Sequence, residues 1–399
     1  VRISGDFEGA RYELRTPGGR RTRARADGSS GGRGARGAAH GEVREGQTAR
    51  LRVPPDPGDP RFRQWFAFDV RGRRGERVSF ALENAAECTW ARAWEDYYAF
   101  ATHDGESWAR VPTRYEDGVL RFEDVLRTGR ARYAYYPLYE NARVEALLRH
   151  ERARGGVVRT LTRTPLGNAV RLLTLGRHDD EAPTVWVIGQ QHPGEHQAGY
   201  WMEGFLERLG WGDDVAEALL DAVTLAIVPR VNPDGVALGN HRTNAAGLDL
   251  NRQWLEPDED APEIAAIRES MEDRGCALFL DVHGDETIPH VFVEGTYAVP
   301  RRTAHMRRVE AALSRALLSL TRDFQTEHGY PKEPRGKANL AIGSSWVGHR
   351  FRCPSLTLEM PFLDHDDAPD VLHGFGPQRA RALGATCVEA LALALEVGS

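Results

Sequence analysis

Lysine is nearly missing from this chain: of its 52 basic residues only Lys332 and Lys337 are lysine, and the rest are arginine. A bias of that kind follows nucleotide usage, so the abundance of arginine says little about ligands. Cysteine is scarce as well. Cys88, Cys276, Cys353 and Cys387 lie far apart with no Cys-x-x-Cys pair, which removes a zinc ribbon or a dithiol redox motif and leaves buried, reduced thiols. There is no run of about 18 apolar residues and no basic segment leading into an apolar one, so membrane spanning and secretion lack support and a cytoplasmic setting is expected. Positive charge is not in excess. With a net charge of −6 and no basic cluster interleaved with aromatics, nucleic acid is not an expected partner.

What is present suffices for two domains: 399 residues, 41% of them apolar and 9% aromatic, can fill sizeable cores. Residues 1–150 read as a small antiparallel β-sandwich domain. Short strands such as Gln64–Val70, Arg77–Leu82 and Arg132–Tyr136 are separated by turn signals at Asp104-Gly105 and Asp117-Gly118. Inside that domain, Pro17–Gly41 carries no Leu, Ile, Val, Met or aromatic residue, so it has nothing to bury against the entropy of ordering and is expected to be a flexible insertion. Residues 151–399 alternate strands and helices. Strands are expected at Ala169–Leu175, Thr184–Gly189, Val223–Arg230, Ala277–Val282, His290–Glu294 and Ser355–Met360. Helices are expected at Ala198–Leu209, Pro262–Arg274, Ala304–Leu320 and Pro377–Val397. The fold class is therefore α/β, a mixed central sheet flanked by helices and preceded by the small β-sandwich.

Four sequence features carry chemistry. Gln191-His192-Pro193-Gly194-Glu195-His196 breaks out of the apolar run Thr184–Gly189, so it sits on a turn at the carboxyl end of a buried strand, where open α/β sheets bind their ligands. A histidine and a carboxylate three residues apart can close on one divalent metal, although a His-x-x-Glu also arises by chance. Leu278–Gly284 ends a second strand on His283, two residues after Asp281. Two histidines and one carboxylate make a common catalytic zinc set, with a fourth position left for water. Arg242 and Asn251-Arg252 lie in loops where guanidinium and amide groups suit a substrate carboxylate, with surface ion pairs as the plainer alternative. Glu359 lies inside the apolar strand Ser355–Met360. Burying a carboxylate costs several kcal/mol, roughly, unless it is paired or used, which makes it a candidate general base.

Taken in order, His192-Pro193-Gly194-Glu195, Asn232-Pro233-Asp234-Gly235, Arg242, Asp249-Leu250-Asn251-Arg252, Asp281-Val282-His283-Gly284 and Leu358-Glu359 resemble the motifs of zinc metallocarboxypeptidases, specifically the cytosolic carboxypeptidase subfamily. The likeness runs from about residue 155 to the end, and the preceding β-domain is similar to that subfamily's amino-terminal domain. It implies one Zn2+ per chain on His192, Glu195 and His283, with His196 outside the metal shell. It also implies Asn251 and Arg252 on the terminal carboxylate of a peptide or protein, Arg242 at the scissile carbonyl, and Glu359 as the base. Members that remove glutamate use an arginine in a Gly-x-x-Arg stretch. Here the nearest match is Gly336-Lys337-Ala338-Asn339, which ends in asparagine and leaves Lys337 as the available cation. A tyrosine that covers the bound terminal residue would have to be Tyr330, the one tyrosine between 330 and 352. Two other readings use the same residues: a zinc deacylase of N-acyl amino acids, and a peptide-binding relative without turnover.

Overall fold

The structure is a computed structural model that describes residues 1–15, 21–25, 41–44, 46–177, 179 and 181–398. Its C-terminal half is built on a seven-stranded sheet. The strands are β1 (Val157–Arg163), β2 (Ala169–Gly176), β3 (Thr184–Gly189), β4 (Thr224–Val228), β5 (Leu278–Asp285), β6 (Phe292–Glu294) and β7 (Ser355–Pro361). They lie in the order β1-β2-β4-β3-β5-β7-β6. The central four, β4, β3, β5 and β7, are parallel, while β1, β2 and β6 join antiparallel at the two sides. This is why the central strands read as apolar runs. Thr184–Gly189 is buried at every residue, as a strand covered by helices on both faces must be.

Register then positions chemistry. In the β5–β7 pair His283 lies directly opposite Glu359, and in the β3–β5 pair Gly189 lies opposite Val282. The turn that leaves β3 therefore emerges beside His283, at the carboxyl ends of the parallel strands. The longer helices of the frame are α1 (Gln197–Leu209), α2 (Pro262–Arg274), α3 (Ala304–Leu320), α4 (Gly343–Phe351) and α5 (Pro377–Gly398), with shorter ones at Asp214–Ala222 and Pro233–Leu238. α4, the two shorter helices and the strand Val157–Arg163 are additions to those expected from sequence.

The N-terminal unit links twelve strands into one hydrogen-bonded set around an aromatic core that includes Tyr12, Phe66, Phe68, Phe80, Phe122 and Tyr133. Its ladders are antiparallel except that Thr48–Arg52 runs parallel to Arg77–Leu82. One expectation needs correction. Within Pro17–Gly41, residues Arg21–Arg25 form a strand paired with Arg11–Arg15. An edge strand can be held by backbone hydrogen bonds alone, so a lack of apolar side chains does not forbid it. Most of the remainder of that stretch lies outside the described residues. The four thiols are free; Cys88, Cys353 and Cys387 are buried and Cys276 is half-buried. Among the described residues no helix is long and apolar enough to cross a membrane.

α1 and α5 pack so closely that glycine is required at their crossing. A Cβ on Gly204 would come within 2.0 Å of the Arg381 carbonyl oxygen, and one on Gly384 within 2.0 Å of the Trp201 carbonyl oxygen. Both obstacles are backbone, which can retreat only if the helices separate. Gly204→Ala is therefore expected to destabilise the protein by about 1–3 kcal/mol, as overpacking does. Urea melts of the two proteins check this, and an unchanged midpoint would show that the crossing is looser than described.

Candidate active site

At the end of β3 the backbone turns sharply: Gln190 has φ of 58°, the left-handed region that side chains other than glycine rarely adopt. The strain is held by surrounding contacts. Gln190 Nε2 donates to the Pro193 carbonyl at 2.9 Å, and Arg230 Nε donates to Gln190 Oε1 at 3.0 Å. Asn232 fixes the next residue, its Nδ2 donating to the Gln191 carbonyl at 3.0 Å while its Oδ1 accepts from Gly235 N–H at 2.9 Å. Asp234 accepts from Thr164, Leu166 and Asn168. The Asn232-Pro233-Asp234-Gly235 stretch thus acts as scaffolding for the turn that carries His192 and Glu195.

His192, Glu195 and His283 converge, each offering one ligand atom with all three atoms within 4.8 Å of one another, and all three residues are buried. The two rings are arranged alike. His192 Nδ1 stands 2.6 Å from Glu195 Oε1 and His283 Nδ1 stands 2.9 Å from Glu195 Oε2. On the far side, His192 Nε2 meets Asp249 Oδ1 at 3.1 Å and His283 Nε2 meets Asp281 Oδ2 at 3.0 Å. Each imidazole therefore turns one nitrogen inward and gives the other to a carboxylate, the outer-shell pattern that orients metal-ligating histidines. Burial works against charge on Glu195, yet His192 and His283 hold its carboxyl below the usual range. Burial likewise opposes a proton on His283, yet Asp281 and Glu195 draw one there. A place that attracts a proton so strongly suits a cation. Two imidazole nitrogens and one carboxylate fit zinc in composition and number.

His196 is elsewhere: its Nδ1 accepts from Tyr139 N–H at 3.0 Å and its ring lies 4.6 Å from that of Trp65. Burial holds this imidazole well below its usual pKa, so it stays neutral.

The remaining anticipated residues line one cleft of about 800 Å³ with the three above: Arg242, Asn251, Arg252 and Glu359. Arg242 Nε donates to Asp249 Oδ2 at 2.8 Å, so a single carboxylate fixes both Arg242 and His192. Asn251 Oδ1 accepts from Gly343 N–H at 2.8 Å, tying the loop to the first turn of α4. Arg252 is exposed at the rim. Burial pushes the Glu359 carboxyl well above the usual range, and Glu195 and Asp285 nearby push the same way. One of its oxygens, Oε2, is buried without a partner. The other, Oε1, accepts from the Tyr330 hydroxyl at 3.0 Å, which also reaches Asp285 Oδ2 at 2.9 Å. The N-terminal unit contributes Asp59, Arg61, Phe62 and Trp90, all from segments between its strands, to the cleft wall. It also supplies Asp56, whose carboxylate accepts the backbone N–H groups of His241, Arg242 and Thr243 at 2.8, 2.8 and 2.9 Å.

Sequence reasoning did not assign roles to Asp249, Asp281 or Asp56. For the first two the signal was present, since each lies in a motif next to a residue already singled out. Asp56 gave none, because its partners are 185 residues and more away. Lys337 is exposed and is not among the residues lining the cleft.

Comparison with known proteins places the chain in a family. The family pattern described as Zinc carboxypeptidase matches residues 151–390, and the one described as Cytosolic carboxypeptidase N-terminal domain matches residues 31–136. A solved metallo-carboxypeptidase of Pseudomonas aeruginosa, in complex with (2-guanidinoethylmercapto)succinic acid, is 37% identical, with complete coverage of both chains and a TM-score of 0.87. The metallo-carboxypeptidase of Burkholderia cenocepacia is 36% identical over 99% of this chain and 100% of that one, with a TM-score of 0.88. Cytosolic carboxypeptidase 6 of Caenorhabditis elegans is 24% identical over 79% of this chain and 74% of its own length. With the family pattern spanning more than half of its length and the fold shared throughout, this chain belongs to the zinc carboxypeptidase family, on its cytosolic branch, and is a carboxypeptidase hydrolase.

Proposed function

We propose that this protein removes C-terminal residues from peptides or proteins in the cytoplasm, with His192, Glu195 and His283 as zinc ligands and Glu359 as general base. The observation that carries the reading is the juxtaposition, in one cleft, of a His–Glu–His cluster and an unpaired buried carboxylate oxygen. Zinc in that cluster would supply Lewis acidity toward the scissile carbonyl and a water acidified to a pKa of roughly 7. Glu359, with its raised pKa, is suited to accept a proton from the attacking water and return it to the leaving amine. Arg242, oriented by Asp249, would stand beside the developing oxyanion. Asn251 and the exposed Arg252 would hold the terminal carboxylate, which limits cleavage to the last peptide bond. Tyr330 supports the base through its hydrogen bond and stands at the cleft, where a substrate's terminal residue would pass beneath it.

Glu359→Gln should keep its zinc, because none of the three proposed ligands changes, and lose activity by roughly a thousandfold, the scale of a general base. Turnover near that of the parent would remove Glu359 from this role. His283→Ala should instead lower the zinc content measured by elemental analysis, and an undiminished one-to-one ratio would take His283 out of the ligand set. The direct test of the reaction is mass spectrometry of a peptide library digested by the zinc-loaded protein. Ladders shortened from the carboxyl end are expected. Release of an acyl group from N-acyl amino acids, with peptides left intact, would point to a deacylase.

A further inference from the structure

A second group of metal-binding side chains lies outside the cleft, in the loops that follow β5 and β7. His290, His365 and Asp367 each offer one ligand atom, with all three atoms within 4.8 Å of one another, and none of the three lines the cleft. Both histidines are buried, His365 completely, while the Asp367 side chain is 55% exposed. His365 and Asp367 are close in sequence. His290 is brought to them by the backbone, the Asp366 N–H donating to the Pro289 carbonyl at 3.0 Å. The two rings stand at 86° to each other with centres 5.5 Å apart, so they do not stack and can offer nitrogens from different directions.

Hydrogen bonds determine which nitrogen His365 has to offer. A carbonyl can only accept, so His365 Nε2, 2.6 Å from the Asp323 carbonyl oxygen, carries the proton. The Val291 N–H is 3.5 Å from the same nitrogen, at the limit of hydrogen bonding, and does not compete. The lone pair is left on Nδ1, and that nitrogen faces Asp367, whose N–H approaches at 3.2 Å. A ring whose far N–H is fixed by a backbone carbonyl is the usual arrangement of a metal-ligating histidine. Burial lowers the His365 pKa, with Arg379 acting the same way against the Asp323 carbonyl, which keeps the imidazole in the neutral form that metals require. Asp367 Oδ2 lies 3.2 Å from His290 Nδ1. Bonds of about 2.0–2.1 Å in a tetrahedral zinc site set neighbouring ligand atoms roughly 3.3–3.4 Å apart, so the observed spacing fits zinc. Arg379 does not fill the place of a cation here, being paired with Asp323 and donating to the Ala368 carbonyl. Among the described residues no arginine or lysine pairs with Asp367.

We infer that His290, His365 and Asp367 form a second zinc site, separate from the His192–Glu195–His283 cluster, with water completing the coordination on the exposed side of Asp367. This goes beyond the peptidase reading and does not depend on turnover. An ordinary His290–Asp367 ion pair is the competing account. It uses one histidine and gives no reason for a second, completely buried one to turn its lone pair toward the same residue. Two imidazoles and one carboxylate select zinc or a similar ion over Mg2+ and Ca2+, which take oxygen ligands. The site also stands where three segments cross. Phe324 is bridged to Val291, and the His328 ring stacks on that of His290 with centres 4.2 Å apart. Tyr330, whose hydroxyl reaches Glu359, is two residues further on. Zinc on His290 and His365 would therefore brace the chain that delivers Tyr330 to the cleft.

With an exposed carboxylate among its three ligands the site should be weaker than the first, filling from zinc in solution and emptying on dialysis. Calorimetric titration of the dialysed one-zinc protein with Zn2+ is the test. One further equivalent is expected in the parent, bound more weakly by roughly 10–100-fold in both His290→Ala and Asp367→Ala, the scale of disturbing such a site. Retention of the first zinc and of the parent's circular dichroism shows that these variants are folded. Glu359→Gln and His283→Ala should leave the further equivalent unchanged, even where His283→Ala loses the zinc that survives dialysis, so this site and the proposed catalytic one are judged separately. Absence of a further equivalent in the parent, or one that keeps full affinity in His290→Ala and Asp367→Ala, overturns the inference. So does a further equivalent that disappears in Glu359→Gln, which would put it in the cleft. In the parent it should also slow hydrogen exchange at the amides of Phe324–His328, and unchanged exchange would remove the bracing role.

Discussion

Concentration of negative charge at the floor of the cleft is the constraint on which the rest of the site depends. Glu195, Asp249, Asp281, Asp285, Glu286 and Glu359 lie close together there, with Arg242 as the guanidinium among them. Carboxylates out of water cost several kcal/mol each, roughly, unless compensated. The protein compensates with specific partners: His241 on Glu286, Tyr330 between Asp285 and Glu359, and Arg242 with His192 on Asp249. Negative charge still predominates around the His192–Glu195–His283 cluster, and a divalent cation is the natural counterweight. The same excess explains why both histidine rings are fixed from behind by aspartates. A loosely held imidazole could turn outward, whereas Asp249 and Asp281 keep each inner nitrogen directed at Glu195.

The parts of this arrangement that were legible in sequence are those set by short-range pattern. Thr184–Gly189 reads as a central strand because it is uninterrupted and β-branched, and the break at Pro193-Gly194 reads as a turn. His283 and Glu359 could be placed at strand ends for the same reason. α4 was not legible: Gly-Ser-Ser-Trp-Val-Gly-His-Arg-Phe has two glycines and two serines in nine residues, and packing against β5 and β7 overrides that poor propensity. The strand at Arg21–Arg25 was hidden for the opposite reason, since nothing in its side chains advertises a ladder made by the backbone.

Long-range partnerships account for the rest. Tyr330 could be named as the available tyrosine, but that its hydroxyl lies on Glu359 depends on how the segment after α3 crosses β6. Asp249 stood in plain view within its motif, yet its joint hold on a histidine and an arginine emerges only when two loops meet.

The carboxylate of Asp56 closes over three consecutive backbone N–H groups that include Arg242, and it comes from a loop of the N-terminal unit. In the catalytic half alone those amides would face solvent or one another, and the loop would be free to choose a different path. The N-terminal unit therefore works as a template against which part of the active site is cast. Excising it would not yield a smaller enzyme of the same kind, because the mould for the arginine loop would be gone. Changes that shift Asp56 by even a small amount should reach the reaction centre through the backbone, without touching any residue that meets the substrate.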